Sequence, residues 1–212
     1  ALGYTGSITL QTAMNYSLNT GMVTIGKLLG GGSLNSTARN KIYDYFHNRF
    51  GFGRETGIEV LESRGSLVSP KDAEGNAVRY SNMIFGQGMA TTMLQTSTAF
   101  SSLVNGGTLY KPSIVAGTVD EDGNLSKKSP EISREGVISK ETSQQMKQVL
   151  EGVRKVGGAK DPAGYQIGGK TGTSQTIVGG RYVDYQTIGS YVGFGGGDQA
   201  EYVIMVAVWG EN

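Results

Sequence analysis

Apolar positions along the chain change their period about three quarters of the way through. "SITLQTAMNYSLNTGMVTIGKLLGGG" has apolar residues at helical spacing on both sides of a break at "SLNTG". Leu10, Ala13 and Met14 face inward in the first half, and Met22, Ile25, Leu28 and Leu29 in the second. Asn19 or Thr20 is the expected N-cap of the second helix, and Gly30 to Gly32 end it. "NSTARNKIYDYFHNRFGFG" predicts a third helix with Ile42, Tyr43, Phe46 and Phe50 on one side and Gly51 as its stop. Residues 52 to 82 hold no sustained period and read mostly as loop, a length that points to function or mobility. "MATTMLQTSTAFSSLVNGG" predicts a helix with Leu94, Phe100, Leu103 and Val104 inward. A strand, an acidic turn and a return strand follow in "TLYKPSIVAGTVDEDGNLSKK". Ser139 caps a helix carrying Met146, Val149, Leu150 and Val153 inward. The remainder, "YQIGGKTGTSQTIV", "RYVDYQTIGSYVGF" and "EYVIMVAVW", predicts three strands. Their connections are too short for parallel crossovers, so the sheet is expected to be antiparallel, in sequence order, with the first strand at a free edge. Helices followed by strands give an α+β fold class.

Composition narrows the chemistry. Over 212 residues the chain is 37% hydrophobic, enough for a core, and its net charge is +1, which gives no general reason to expect nucleic acid as a partner. It has no cysteine, so disulfides, thiolate metal sites and a cysteine nucleophile are excluded. The one histidine, His47, is expected to pack at a helix end, and a multi-histidine metal site cannot be built from it. No run approaches the ~20 apolar residues of a spanning helix, and no signal peptide is visible. Ala1 stands in what reads as continuing sequence, so a longer parent is expected.

Two short stretches carry candidate chemistry. In "GGKTGTSQ", glycines at 168, 169 and 172 surround Lys170 and remove side chains from its strand, which lets another backbone or an extended peptide come close. Alternation puts Lys170 and Gly172 on one face and Thr171 and Thr173 on the other, so a twist or bulge is expected if lysine and threonine are to serve one ligand. One cation with several hydroxyl donors suits a carboxylate. Taken alone, the stretch also fits a plain glycine-rich strand with a surface lysine. In "YSLNTG", Ser17 and Asn19 lie at a break between helices, where both are also ordinary capping residues.

The pair of stretches is more specific. Ser-x-Asn followed by Lys-Thr-Gly resembles the second and third signatures of the penicillin-recognising serine acyltransferases. "YTGSITLQTAMNYSLNTGMVTIG", "FGQGMATTMLQTSTAFSSLVNGGTLYKPSIV" and "SKETSQQMKQVLEGV" with "GAKDPAGYQIGGKTGTSQ" are similar, in order, to segments of class B penicillin-binding proteins. On this resemblance residues 1–212 are part of one transpeptidase domain, with 1–107 mainly helical and 108–212 carrying a hairpin, a helix and the Lys-Thr-Gly sheet. The first family signature, Ser-x-x-Lys, is missing: no serine here has a lysine three positions on. The resemblance therefore implies a nucleophile upstream of Ala1 and a fragment inactive by itself.

What the resemblance implies about the reaction falls on particular residues. The missing serine attacks the D-Ala-D-Ala end of a peptidoglycan stem peptide and passes the acyl group to an amine, and β-lactam antibiotics acylate the same serine. Ser17 joins the proton relay, Asn19 holds a substrate amide, and Lys170 supplies positive potential. Thr171, Gly172 and Thr173 line the substrate carboxylate, and the Thr173 backbone N–H is one oxyanion donor. No metal or other cofactor is implied, and no nucleic acid. The parent is expected to be membrane-anchored on the extracytoplasmic face of a bacterial cell, within a cell-wall synthesis complex. A second reading keeps the fold as a non-catalytic binding or sensor module. A class A β-lactamase is disfavoured by Ser-Leu-Asn in place of Ser-Asp-Asn.

Overall fold

The structure, a computed structural model, describes residues 6–179 and 181–211. Ala1, named above, and Tyr4 and Thr5, which open a stretch quoted above, lie outside the described residues. The chain opens with helices α1 (Leu10–Asn15), α2 (Asn19–Leu28) and α3 (Ser36–Tyr43), the last running on into a π-helical turn over Asp44–Arg49. Helices α4 (Ala77–Ile84) and α5 (Met93–Val104) follow. Four short strands, β1 (Leu109–Tyr110), β2 (Gly117–Val119), β3 (Leu125–Lys127) and β4 (Ile132–Arg134), lead to α6 (Lys140–Lys155). Strands β5 (Gln166–Val178), β6 (Arg181–Gly196) and β7 (Tyr202–Glu211) close the chain.

The three long strands form one antiparallel sheet in the order β5-β6-β7, so the α+β class, the antiparallel pairing and the edge position of the Lys-Thr-Gly strand are as expected. Side-chain alternation gives the sheet two unlike faces. Gly168, Phe194 and Val203 share the inner face, and there Phe194 packs with Phe100, Val104 and Leu150 of α5 and α6. A second core lies among the helices, where Leu34, Ala38, Ile42, Tyr80 and Met83 are buried together.

The two glycines before Lys170 are explained by close packing. A Cβ on Gly168 would stand 2.8 Å from Glu151 N and 2.9 Å from the Leu150 carbonyl carbon, so bare backbone is needed where α6 crosses the sheet. On the opposite face the ring of Tyr191 covers Gly169 and Gly193, with a Cβ on Gly193 only 2.7 Å from Tyr191 Cε1. The close approaches at 168 and 169 are thus made by the protein's own helix and ring rather than by a bound peptide.

Several local expectations are corrected. Residues 52 to 82 are not all loop: α4 begins in their last third. Asn76 accepts from the N–H groups of Val78 and Arg79 at 3.0 Å, and Tyr80 and Met83, three apart, face the core. Helix α5 starts at Met93, after a reciprocal capping box between Thr92 and Gln95. Leu94 is only partly buried, whereas Gln95 is buried and donates to the carbonyls of Arg54 at 2.6 Å and Arg64 at 2.9 Å. On α6 the buried positions are Ser143, Lys147 and Leu150, with Met146, Val149 and Val153 partly buried. The predicted strand and return strand resolve into a β2–β3 hairpin closed by Asp120 and Asn124, with β1 pairing separately with β4.

Candidate functional site

Ser17 owes its position to the way α1 ends. Tyr16 is the C-cap. The Ser17 N–H donates to Met14 O at 3.3 Å and the Leu18 N–H to Ala13 O at 2.9 Å, the double bond of a Schellman motif. That motif requires a left-handed residue just past the cap, and glycine is usual there. Here it is Ser17, with φ of 50°, the one non-glycine residue at positive φ among those described. Helix α1 is itself tied to the sheet layer, because Gln11 Nε2 donates to Val149 O of α6 at 3.1 Å. Neither expected N-cap of α2 is used: Leu18 holds that position without a side-chain bond, and Asn19 is the first helical residue.

The strained turn brings Ser17 Oγ against Lys170 Nζ, which donates to it. The same ammonium donates to Thr171 O at 3.0 Å and reaches Thr171 Oγ1 at 3.4 Å. Burial, which disfavours the charged ammonium, pushes the Lys170 pKa below its ordinary value. Pairing of β5 with β6 is continuous from Lys170 through Thr173, and the register shifts only between Gln175 and Thr176. No bulge or twist at 170–173 is therefore needed for lysine and threonine to meet. The lysine chain is long, the strand is an edge, and side chains from both faces reach that edge.

All six candidate residues line one cleft of about 410 Å³: Ser17 and Asn19 from the helical side, and Lys170, Thr171, Gly172 and Thr173 from β5. Its apolar wall comes from Met14, Met22, Ile84 and Phe85. Helical spacing marks Met14 and Met22 of that wall as inward but not Ile84 or Phe85, although Phe85 at the end of α4, next to Gly86, was the available signal. A neighbouring groove of about 540 Å³ shares Phe85, Gly172 and Thr173 with the cleft. It runs between residues 85–96 and the inner face of the sheet, past Ile188, Met205 and Trp209. It mixes apolar side chains with hydroxyls and carboxamides, and of the two only the cleft holds a cation. The arrangement can bind an anionic, extended ligand along the edge of β5 and can move a proton between Ser17 and Lys170. His47 takes no part: its Nδ1 is 2.9 Å from Phe52 O and its Nε2 accepts from Arg54. Among the described residues no acidic or histidine cluster could hold a metal, and no helix is long and apolar enough to cross a membrane.

Comparison with known proteins adds a lineage to this geometry. The family model described as the penicillin binding protein transpeptidase domain matches residues 3–212. Stage V sporulation protein D of Bacillus subtilis is 36% identical over 203 residues, covering 94% of this chain and 30% of that protein. The probable peptidoglycan D,D-transpeptidase PenA of Neisseria flavescens is 26% identical over 172 residues, which is 79% of this chain and 40% of the relative. Among solved structures, penicillin binding protein 3 of Mycobacterium tuberculosis complexed with ampicillin superposes with a TM-score of 0.77 at 27% identity, over 96% of this chain and 45% of that one. The chain thus spans less than half the length of each of these three proteins.

Proposed function

Because this chain belongs to the penicillin-binding protein transpeptidase domain family, in its class B branch, we propose that it forms the substrate-binding wall and proton relay of a serine D,D-transpeptidase that cross-links peptidoglycan stem peptides. The observation that carries this reading is the Lys170–Ser17 hydrogen bond inside the cleft that Asn19, Thr171 and Thr173 also line. A stem peptide ending in D-Ala-D-Ala lies along the free edge of β5, its terminal carboxylate held by the hydroxyls of Thr171 and Thr173. A β-lactam takes the same place. Burial lowers the pKa of Lys170, which eases transfer of a proton from its ammonium to Ser17. Ser17 passes that proton toward the leaving nitrogen. Asn19 orients a substrate amide, and the Thr173 N–H stabilises the oxyanion.

The nucleophile of this reading belongs to a Ser-x-x-Lys segment outside residues 1–212, since no serine here has that partner. The parent is a membrane-anchored protein working at the extracytoplasmic face within a cell-wall synthesis complex. Labelling with a fluorescent penicillin tests the proposal. The 212-residue chain should take up no covalent label, because this reading makes Ser17 the proton relay and leaves the attacking serine to the Ser-x-x-Lys segment. A version extended to include Ser-x-x-Lys should be labelled stoichiometrically. In that version Lys170→Ala should slow acylation by roughly 10²–10³-fold, the usual scale for removing one preorganised electrostatic group, and should weaken non-covalent binding much less. Covalent labelling of the 212-residue chain, or an unchanged rate in Lys170→Ala, would overturn the assignment.

A further inference from the structure

Helix α1 ends in the turn that carries Ser17, but it has little of its own to hold it in place. It is six residues long, Ala13 is its buried residue and Leu10 is exposed. A helix of this length is not stable by itself in water, so its position is set by what it touches. Gln11 makes the contact with α6. Its side-chain amide donates to Val149 O at 3.1 Å and to Asn15 Oδ1 at 2.6 Å. Asn15 is the last residue of α1, two before Ser17. A carbonyl oxygen has two lone pairs, so Val149 O takes the Gln11 amide in addition to its bond within the helix.

Helix α6 is shaped for this side chain. Gly152 lies three residues after Val149, on the same face, inside a helix where glycine is disfavoured. A Cβ there would stand 2.8 Å from Gln11 Nε2 and 3.1 Å from Gln11 Cδ. The missing side chain is the room that Gln11 occupies. The same stretch of α6 meets the sheet. The backbone of Leu150 and Glu151 closes on Gly168, two residues before Lys170 on the same face of β5. Residues 149–152 therefore hold β5 on one side and Gln11 on another. The placement of Ser17 relative to Lys170 is fixed twice. Their own hydrogen bond fixes it directly, and a frame running from Gly168 through α6 and Gln11 to the end of α1 fixes it again.

We infer that Gln11, seated on Gly152, is a positioning residue for the Ser17–Lys170 pair: it sets where the Ser17 hydroxyl stands without itself touching substrate. The inference rests on the reading of Ser17 as the proton relay. Without the Gln11 amide, α1 loses its hydrogen bond to α6, and the turn at its end moves with it. Only the bond to Lys170 then holds Ser17 at its place in the cleft.

Acylation of the full-length parent protein by a fluorescent penicillin, followed over a range of drug concentrations, tests this. Gln11→Met keeps the length of the side chain and removes both donors. It should lower the maximal rate roughly 10-fold, since a misplacement of about 1 Å can cost ~10²-fold, and move the half-saturating concentration by less than about twofold. Gly152→Ala improves the helix but displaces Gln11, so it should slow acylation in the same way while the melting temperature holds or rises. A role in folding alone would move rate and melting temperature together. In a Ser17→Ala background neither change should slow acylation further, because the hydroxyl they position is gone. A wild-type rate in either variant, or equal slowing with and without the Ser17 hydroxyl, overturns the inference. A wild-type rate in Ser17→Ala itself overturns the relay, and the positioning of Ser17 with it. A slow Ser17→Ala beside a wild-type Gln11→Met strikes Gln11 alone. Should Gln11→Met not fold, Gly152→Ala decides.

Discussion

At the scale of the residue, Ser17 shows how a hydroxyl is delivered to a lysine far along the chain. A Schellman turn favours glycine, and placing an L-residue in the left-handed region costs about 1–2 kcal/mol. The chain carries that cost where the side chain touches Lys170. Ser17→Gly and Ser17→Ala both remove the hydroxyl, but only alanine keeps a Cβ in the left-handed conformation. Denaturant unfolding should therefore find the glycine variant more stable than the alanine variant by about 1 kcal/mol. Equal stabilities would mean that Ser17 is not held at positive φ. The sequence made the pairing of Ser-x-Asn with Lys-Thr-Gly legible, because both are short local patterns. It hid the route. "SLN" reads as a capping signal, whereas Ser17 is the left-handed residue after a helix, and the absence of glycine there is what marks it.

Elements were legible where one period ran long enough, as in α6 and the three C-terminal strands. They were lost where burial came from isolated residues. Helix α4 is only eight residues, and its two buried side chains offer too short a pattern. Asn76, with two N–H groups bonded to its side chain, was the signal to read. Gln95 is a polar residue buried to bind two carbonyls, which no apolar pattern reveals. The glycines of β5 belong to this scale too. Gly168→Ala should destabilise by about 1–3 kcal/mol, since its Cβ meets helix backbone that cannot rotate away. Gly169→Ala meets the Tyr191 ring as well as Val192 O, so part of its cost should disappear when Tyr191→Ser is made beside it. A double-mutant cycle by thermal unfolding measures that coupling, and additive effects would show that the ring does not cover Gly169. The β2–β3 hairpin is fastened by Glu59, which accepts from Lys128 Nζ at 2.5 Å, Ser113 Oγ at 2.6 Å and the Ile114 N–H at 3.1 Å. Led by the Lys128 bond, these contacts lower its pKa from 4.5 to about 2. The folded state thus favours the carboxylate. Its contribution is present above the unfolded pKa and is lost as pH falls from 4.5 toward 2. The Tm difference between wild type and Glu59→Gln should be steady near neutral pH and close over that acid range. A gap that persists at pH 2 would separate it from the Glu59 charge.

At the scale of the whole molecule, the outer face of the sheet stands apart from the rest. Alternate residues of β7, Tyr202, Ile204, Val206 and Val208, are 65%, 64%, 52% and 63% exposed, while α5 and α6 both pack on the inner face. β7 is also the sheet edge opposite β5, so this apolar row borders unpaired backbone. Covering each large aliphatic side chain returns ~1.5–3 kcal/mol, against a total stability of roughly 5–15 kcal/mol for a domain. Leaving four side chains in water therefore removes a sizeable share of what could hold the chain folded. The 212-residue chain should accordingly associate through this face as its concentration rises. Sedimentation velocity should show species larger than the monomer, and a melting temperature that climbs with concentration. Ile204→Lys with Val208→Lys places two charges in the row without touching the inner core, and should return the protein to monomer while leaving the Lys170 cleft intact. A wild-type chain that sediments as a monomer and melts cooperatively at high temperature would mean that the inner core alone suffices. The edge at β5 would then be the only open one with a use, since there the hydroxyls and the lysine give an incoming strand something to bind.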